Sequence, residues 1–185
     1  MANNNTADVT SIKGVRGGYG FSAPAGTTAP TGYSSTLGAA FANMGFISSD
    51  GLEESLDADT EEYTDINGEV ICVLTSKETE KITITLASTT DDALKEMHGH
   101  GNVTTADGMT TIAHKSGAFS ERVYVFELLT KDNKKWRKVL PNARVSNRGP
   151  IVHGAGNVYA REIEYTLSPD ANGVRMYDYI ERATS

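Results

Sequence analysis

Val70-Ile-Cys-Val-Leu74, followed by Lys81-Ile-Thr-Ile-Thr-Leu86, decides the fold class of this chain. In the second segment Ile82, Ile84 and Leu86 point to one face and Lys81, Thr83 and Thr85 to the other, the period of a half-buried strand. The first segment is apolar on both faces, as a centrally buried strand would be, and it puts Cys72 in the core. Further along, Arg122-Val-Tyr-Val-Phe-Glu-Leu-Leu129 predicts a strand that ends at an Asp132-Asn133 turn, and Lys134 to Val139 returns from it with Trp136 and Val139 as apolar points. In Val158 to Leu167, Tyr159, Ile163, Tyr165 and Leu167 share a face opposite Glu162 and Glu164. Ser168-Pro169-Asp170 and Asn172-Gly173 then turn the chain into a last strand, Val174 to Ile180. Asn67-Gly68, Asp107-Gly108 and Asn172-Gly173 are hairpin signals.

One helix stands among these strands, from Thr90 to His98. Thr89 or Thr90 can cap it, and Asp91 and Asp92 complement the dipole of its first turn. Ala93, Leu94 and Met97 form its apolar stripe, and Gly99 stops it. Strands around a single short helix predict a mainly β fold, a β-sandwich or β-barrel with the helix on its side or over one end. Residues 1 to 40 are dominated by small and polar residues with few large side chains, among them Tyr19, Phe21, Tyr33 and Leu37. They read as an extended N-terminal arm, aromatic anchors being rare in a plain linker. Residues 41–185 then form a single domain, large enough to bury a core without staples.

The charge is segregated. No Lys or Arg occurs from Gly17 through Ser76, and acid crowds residues 50 to 69. Base crowds residues 115 to 148, with Lys115, Arg122, Lys131, Lys134, Lys135, Arg137, Lys138, Arg144 and Arg148. The two patches could pair within one chain, or one could face the complementary patch of a second copy, a head-to-tail contact that builds rings or filaments. The net charge of −7 argues against a dedicated nucleic-acid binder. Cys72, the single cysteine, excludes an intrachain disulfide and fits a reducing compartment. The N-terminus lacks the basic and apolar regions of a signal peptide, and no apolar run is long enough to span a bilayer, so a soluble protein made in a cytoplasm is expected, with no membrane partner.

No constellation asks for an enzyme. His98-Gly-His100, with His114 and His153 elsewhere, lacks the converging third and fourth ligands of a metal site. Asp57-Ala-Asp59-Thr-Glu61 begins like a calcium loop, but Glu62 stands where glycine is needed and Gly68 where the closing glutamate belongs. A thiol buried at Cys72 lacks the exposure of a nucleophile. There is no Gly-x-Ser-x-Gly elbow, and the glycines of Gly17-Gly-Tyr-Gly20 and Gly154-Ala-Gly156 are not followed by the Lys-Ser/Thr of a phosphate loop. No cofactor is called for.

Ser22-Ala-Pro-Ala-Gly-Thr-Thr-Ala-Pro-Thr31, Leu37-Gly-Ala-Ala-Phe41 and Gly45-Phe-Ile-Ser-Ser-Asp-Gly-Leu-Glu-Glu-Ser55 follow one another in a characteristic order, and then come the acidic segment, the strand Glu80 to Leu86 and the helix Asp91 to Met97. In this order and spacing the chain resembles the major tail-tube proteins of long-tailed siphophages, especially those of actinobacteriophages. The resemblance implies a β-sandwich with one flanking helix. It implies hexameric rings, with strands of six subunits forming an inner barrel, stacked through loops and arms into a tube. Such a tube encloses the tape-measure protein, meets tail terminator and tail-tip proteins, and conducts the double-stranded genome without binding it specifically. The location implied is the virion tail, after assembly in the host cytoplasm.

On that reading the acids Asp57, Asp59, Glu61, Glu62, Asp65 and Glu69 are candidates to face the lumen, where they would repel phosphates and let the duplex slide. Residues 52 to 68 are expected to be a long loop touching the adjacent subunit or ring through Leu52, Glu53, Glu54, Leu56, Asp57, Asp59, Glu61, Glu62 and Tyr63. Tyr19, Phe21 and Tyr33 of the arm, and Arg144 and Arg148 of the basic patch, complete the expected contacts. Relatives often carry a further immunoglobulin-like domain at the C-terminus; Ser185 follows closely on the last strand of this sequence, which predicts a smooth tube. Alternatives are another virion protein, a capsid-decorating or head–tail connector protein, or a carbohydrate-binding β-sandwich using Trp136, Tyr177 and Tyr179 as a platform.

Overall fold

A computed structural model describes residues 9–115 and 119–182, apart from the side chain of Ser76. The first eight residues of the expected arm lie outside the described residues. The elements run β1 (Ile12–Gly14), β2 (Gly20–Pro24), β3 (Ala42–Asn43), β4 (Ile47–Thr64), β5 (Val70–Leu86), α1 (Asp91–His98), β6 (Val103–Ala106), β7 (Met109–Ile112), β8 (Arg122–Thr130), β9 (Lys135–Arg148), β10 (Arg161–Leu167) and β11 (Tyr177–Ile180). The fold is mainly β with one short helix, as expected.

All the strands except the β6–β7 hairpin join one antiparallel sheet in the order β3-β2-β8-β9-β10-β5-β4, with β1 beside β8 and β11 beside β9. Ile82, Ile84 and Leu86 of β5, Tyr124 and Phe126 of β8, Leu140 and Val145 of β9, and Ile163, Tyr165 and Leu167 of β10 all bury into one cluster. β4 closes over the other side of the sheet, Glu54 meeting Lys138 of β9 across β10 and β5 and Ile47 N donating to the Tyr19 hydroxyl beside β2, so the sheet curls until its halves face each other, the layering of a sandwich. It stays open, because β3 and β4 are its edges. Met97 of α1 enters the same cluster. Thr90 caps the helix, its side chain accepting from Ala93 N, and Gly99 ends it at φ 101° with its N–H on Lys95 O.

Three local arrangements differ from the sequence expectation. Residues 20–24 of the expected arm form β2, hydrogen-bonded to β8. β9 continues past Val139 through Pro141 to Arg148, because the β8–β9 ladder shifts register there and the missing proline N–H falls at the irregularity. Asn172-Gly173 does turn the chain, but β10 and β11 do not pair with each other: both lie along the same edge of β9, β11 against residues 136–139 and β10 against residues 143–148.

Gly45 (φ 88°) leads into β4 at a tight approach, where an added Cβ would meet the Ser88 side chain. Ser88 Oγ also accepts from Phe46 N at 2.7 Å. Gly45→Ala is therefore expected to cost about 1–3 kcal/mol from the backbone conformation alone, read as a lowered urea midpoint.

Candidate functional site: a projecting acidic ribbon and the helix C-terminus

Residues 52–68, expected to be a loop, are most of one strand and the turn that follows it. β4 pairs with β5 from Ile47↔Leu86 to Thr64↔Val70. The next strand, β10, pairs with β5 only at residues 81–86. Beyond Lys81 the hairpin continues as a two-stranded ribbon, held at its root by Arg175 3.7 Å from Glu78, and residues 70 to 77 at ~3.4 Å each carry it roughly 27 Å further. The apolar run Val70 to Leu74 lies in this ribbon. It is exposed rather than buried, Ile71 at 68%, and Cys72 is exposed with it. A third strand was needed to bury it, and among the described residues none lies beside it. Tyr63, opposite Cys72, and Ile66 at the turn add to this uncovered apolar surface, and Leu56 is exposed further back.

Register divides the acids of the ribbon. β4 alternates without interruption from Leu52 to Thr64, the extra residues near its tip lying on β5. Asp57, Asp59 and Glu61 thus share one face with Glu53 and Tyr63, and Glu62 points the other way with Glu54 and Leu56. Asp57 is 3.5 Å from Lys81, which also meets Glu164 at 3.5 Å. Glu164 first, then Asp57, holds the Lys81 ammonium above its usual range. Arg144 and Ser146 line the same shallow surface as Asp57, Asp59 and Lys77.

Asp65 and Glu69 close the turn. Asp65 Oδ1 accepts from Asn67 N and Glu69 N, each at 2.8 Å, and Gly68 turns at φ 84°. The Glu69 N–H is the strongest of the bonds that pull the Asp65 carboxyl below its usual range. Asp170-Ala-Asn-Gly-Val174 repeats the arrangement, Asp170 Oδ1 accepting from Asn172 N and Val174 N. The spacing Asp-x-Asn-Gly in the sequence signals both turns, with the aspartate as organiser.

At the root of the ribbon the two charge patches pair within the chain. Lys138 Nζ is 2.6 Å from Glu54 and 2.8 Å from Asp178, with only 6% of its side chain exposed. Burial lowers its basicity, but the bonds to Asp178 and Glu54 outweigh that and raise it. Arg137 pairs with Glu127 at 2.6 Å and donates to Gly32 O and Ser35 Oγ, which ties the segment beside Tyr33 to its own sheet. Tyr19 is fastened within the chain too, its hydroxyl 2.8 Å from Ile47 N. Phe21 sits in β2 beside Asn43, Tyr33 is exposed, and Leu52 lines a cleft of about 530 Å³ between β1 and β4. Trp136, a candidate sugar platform, gives its indole N–H to Asp178 and carries Lys138 over its ring.

Sequence reading missed the polar network under α1. Glu96, with 1% of its side chain exposed, sits 2.9 Å from His100 Nε2 and 3.6 Å from Arg122 Nε, and its other oxygen accepts from the Tyr124 hydroxyl at 3.1 Å. The signal available was Glu96 beside Met97 and three positions from Ala93, on the flank of the apolar stripe. At the end of the helix, Met97 O accepts from Arg161 at 2.7 Å and Arg148 at 3.2 Å, and Arg148 stacks on Phe119. His98 Nε2 is 2.9 Å from the Tyr159 hydroxyl. Burial, then Arg161, His114 and Arg148, push the His98 imidazole down to about 4. The unfolded chain thus binds a proton that the folded chain rejects. Stability is complete above pH ~6.5 and falls as the pH drops from 6.5 toward 4. In His98→Asn the urea midpoint should lose that component of its fall between pH 6.5 and 4. An unchanged slope would show that His98 titrates normally.

Among the described residues no group of three or more His, Cys, Asp or Glu could hold a metal ion, and no helix is long and apolar enough to cross a membrane. A family model described as "Phage tail tube protein" matches residues 1–184. No curated protein matches. A solved structure titled "Cryo-EM structure of the anti-feeding prophage cap (AFP tube terminating cap)" is similar at 12% identity and a TM-score of 0.45, covering 95% of this chain and 98% of that chain.

Proposed function

This chain belongs to the phage tail tube protein family and is thus a structural protein of the virion tail, and from that premise we propose that its copies form hexameric rings that stack into the tube through which the genome leaves. The observation that carries the proposal is the ribbon. A hairpin with no third strand beside it among the described residues is marginal in water, and beyond the Arg175–Glu78 contact this one exposes Tyr63, Ile66, Val70, Ile71, Val73 and Leu74 on both faces. Exposed apolar surface on strands with open outer edges marks an interaction site or an aggregation hazard. Covering by the adjacent subunit or ring removes the hazard and makes folding and assembly mutually supportive. The expected contacts of Leu52 to Tyr63 fit this, as do Arg144 and Arg148 on the opposite charge patch.

Asp57, Asp59 and Glu61 on one face give the tube a candidate acidic lining, and Glu62 on the other face is the better placed to meet a neighbour. Of the arm at residues 1–40, β1, β2 and Tyr19 are held by the chain's own sheet, which leaves the exposed Tyr33 as the anchor that would reach the adjoining copy, with residues 41–185 as the tube domain. The tape-measure, terminator and tip proteins are the remaining partners of such a tube, which is built in the host cytoplasm.

Negative-stain electron microscopy across a concentration series tests the reading. Hollow tubes of uniform width are expected. Val73, opposite Glu62, supplies a second readout: in a Cys72→Ser, Val73→Cys variant the thiol should react with a maleimide in the monomer and be shielded in tubes. Chains that remain monomeric at every concentration would reject self-assembly.

A further inference from the structure

We propose that the cleft at the C-terminal end of α1 is a carboxylate-binding pocket that receives acidic side chains of the β4–β5 ribbon of a second copy. The proposal rests on the tube reading and names the surface that the ribbon meets. The cleft, about 200 Å³, is lined by His98, His100, Asn102, Lys115, Ser120 and Arg148, together with Phe119 and the glycines between them. Its cations lack counter-charges of their own. Arg148 donates to Met97 O and lies 4.7 Å from the Phe119 ring centroid. Arg161, behind it, donates to Gly149 O and Met97 O. Neither arginine, nor Lys115, has an ion-pair partner among the described residues. The nearby carboxylate, Glu96, is buried and already engaged by His100, Arg122 and Tyr124.

Two guanidiniums held against one helix end, with a lysine at the rim, leave a local positive excess on a chain of net charge −7. The field is felt by His98, whose protonation Arg161 and Arg148 oppose. Ser120 adds a neutral hydroxyl able to donate to an oxyanion, whereas the Asn102 amide is held by His98 O and Lys115 O. Arg148 presents a planar fork suited to a carboxylate.

The ribbon supplies the complement. Glu62, on the face assigned to the neighbour, is exposed and has no ion pair among the described residues. A duplex is the poorer occupant, because phosphate binding of useful strength needs many cationic contacts along a backbone rather than one small pocket on an acidic protein.

A charge swap tests this. Arg148→Glu and, separately, Lys115→Glu should each suppress tube formation while the monomer keeps its circular dichroism and, in the Lys115 variant, its melting transition. Combining Arg148→Glu with Glu62→Arg should restore tubes. The Lys115 variant guards against misfolding, since Arg148 also supports the helix end. Normal tubes from both single variants would overturn the pocket. Suppression without rescue would overturn the ribbon as its occupant. Salt-sensitive retention of duplex DNA by the wild-type protein, lost in Arg148→Glu, would overturn it in favour of phosphate. Wild-type chains that never associate would overturn the tube reading itself, and this one with it.

Discussion

Glu61→Lys combined with Glu62→Lys is expected to abolish tubes and leave a folded monomer. Both residues are exposed near the tip of the ribbon and point to opposite faces, so the pair changes the charge of the ribbon whichever face meets the neighbour. Inside the monomer the change is mild, because exposed charges contribute on the order of 0–1 kcal/mol. In an assembly it recurs at every subunit contact, where acid meeting base becomes base meeting base, and like charges brought together at an interface cost several kcal/mol. The measurement is tube yield by electron microscopy beside a thermal melt of the same sample. Tubes of normal length and number would show that the ribbon tip lies away from the contacts, and would return the acids to a solvated surface.

Glu96→Ala is expected to be the most damaging single substitution for the fold. It removes a carboxylate with 1% of its side chain exposed and strands three partners: the Arg122 guanidinium, the Tyr124 hydroxyl and the His100 ring. Breaking one side of a buried ion pair typically costs about 3–5 kcal/mol, because the remaining charge stays buried without compensation. For a chain of this size that corresponds to a fall in Tm of about 10 °C. Glu96→Gln keeps the shape and an acceptor oxygen, and should fall between the two. Urea or thermal unfolding reads both. A loss below about 1 kcal/mol for Glu96→Ala would show that Ala93, Leu94 and Met97 hold α1 in place alone.

Both predictions concern residues whose setting was unevenly legible in the sequence. The alternation of Ile82, Ile84 and Leu86, and of Ile163, Tyr165 and Leu167, identified strands and the faces they bury, and all six are in the core. The helix was legible to within a residue, with its cap at Thr90 and its stop at Gly99. These are local properties: a period of two or of 3.6 residues, a capping hydroxyl and a glycine at positive φ are written in neighbouring residues.

The acidic crowding of residues 50 to 69 was equally plain, but its distribution was not. Whether Glu54 meets Lys138 or solvent, and whether Asp65 is a surface charge or the organiser of a turn, depends on what stands opposite.

The sequence by itself determined a mainly β chain, the strand faces of its core, one capped helix, a segregated charge pattern and, through the order of its segments, the resemblance to tail-tube proteins. Only the tertiary structure decided that Val70 to Leu74 is exposed, that β4 and β5 extend past the sheet as a ribbon, that β11 joins β9 rather than β10, and that Glu96 lies beneath the helix. The physical reason is common to all four. A strand that is apolar on both faces has the same local pattern whether a third strand of its own chain or another molecule is to cover it. Burial belongs to the neighbour that arrives, and that neighbour is chosen by the global arrangement of the sheet.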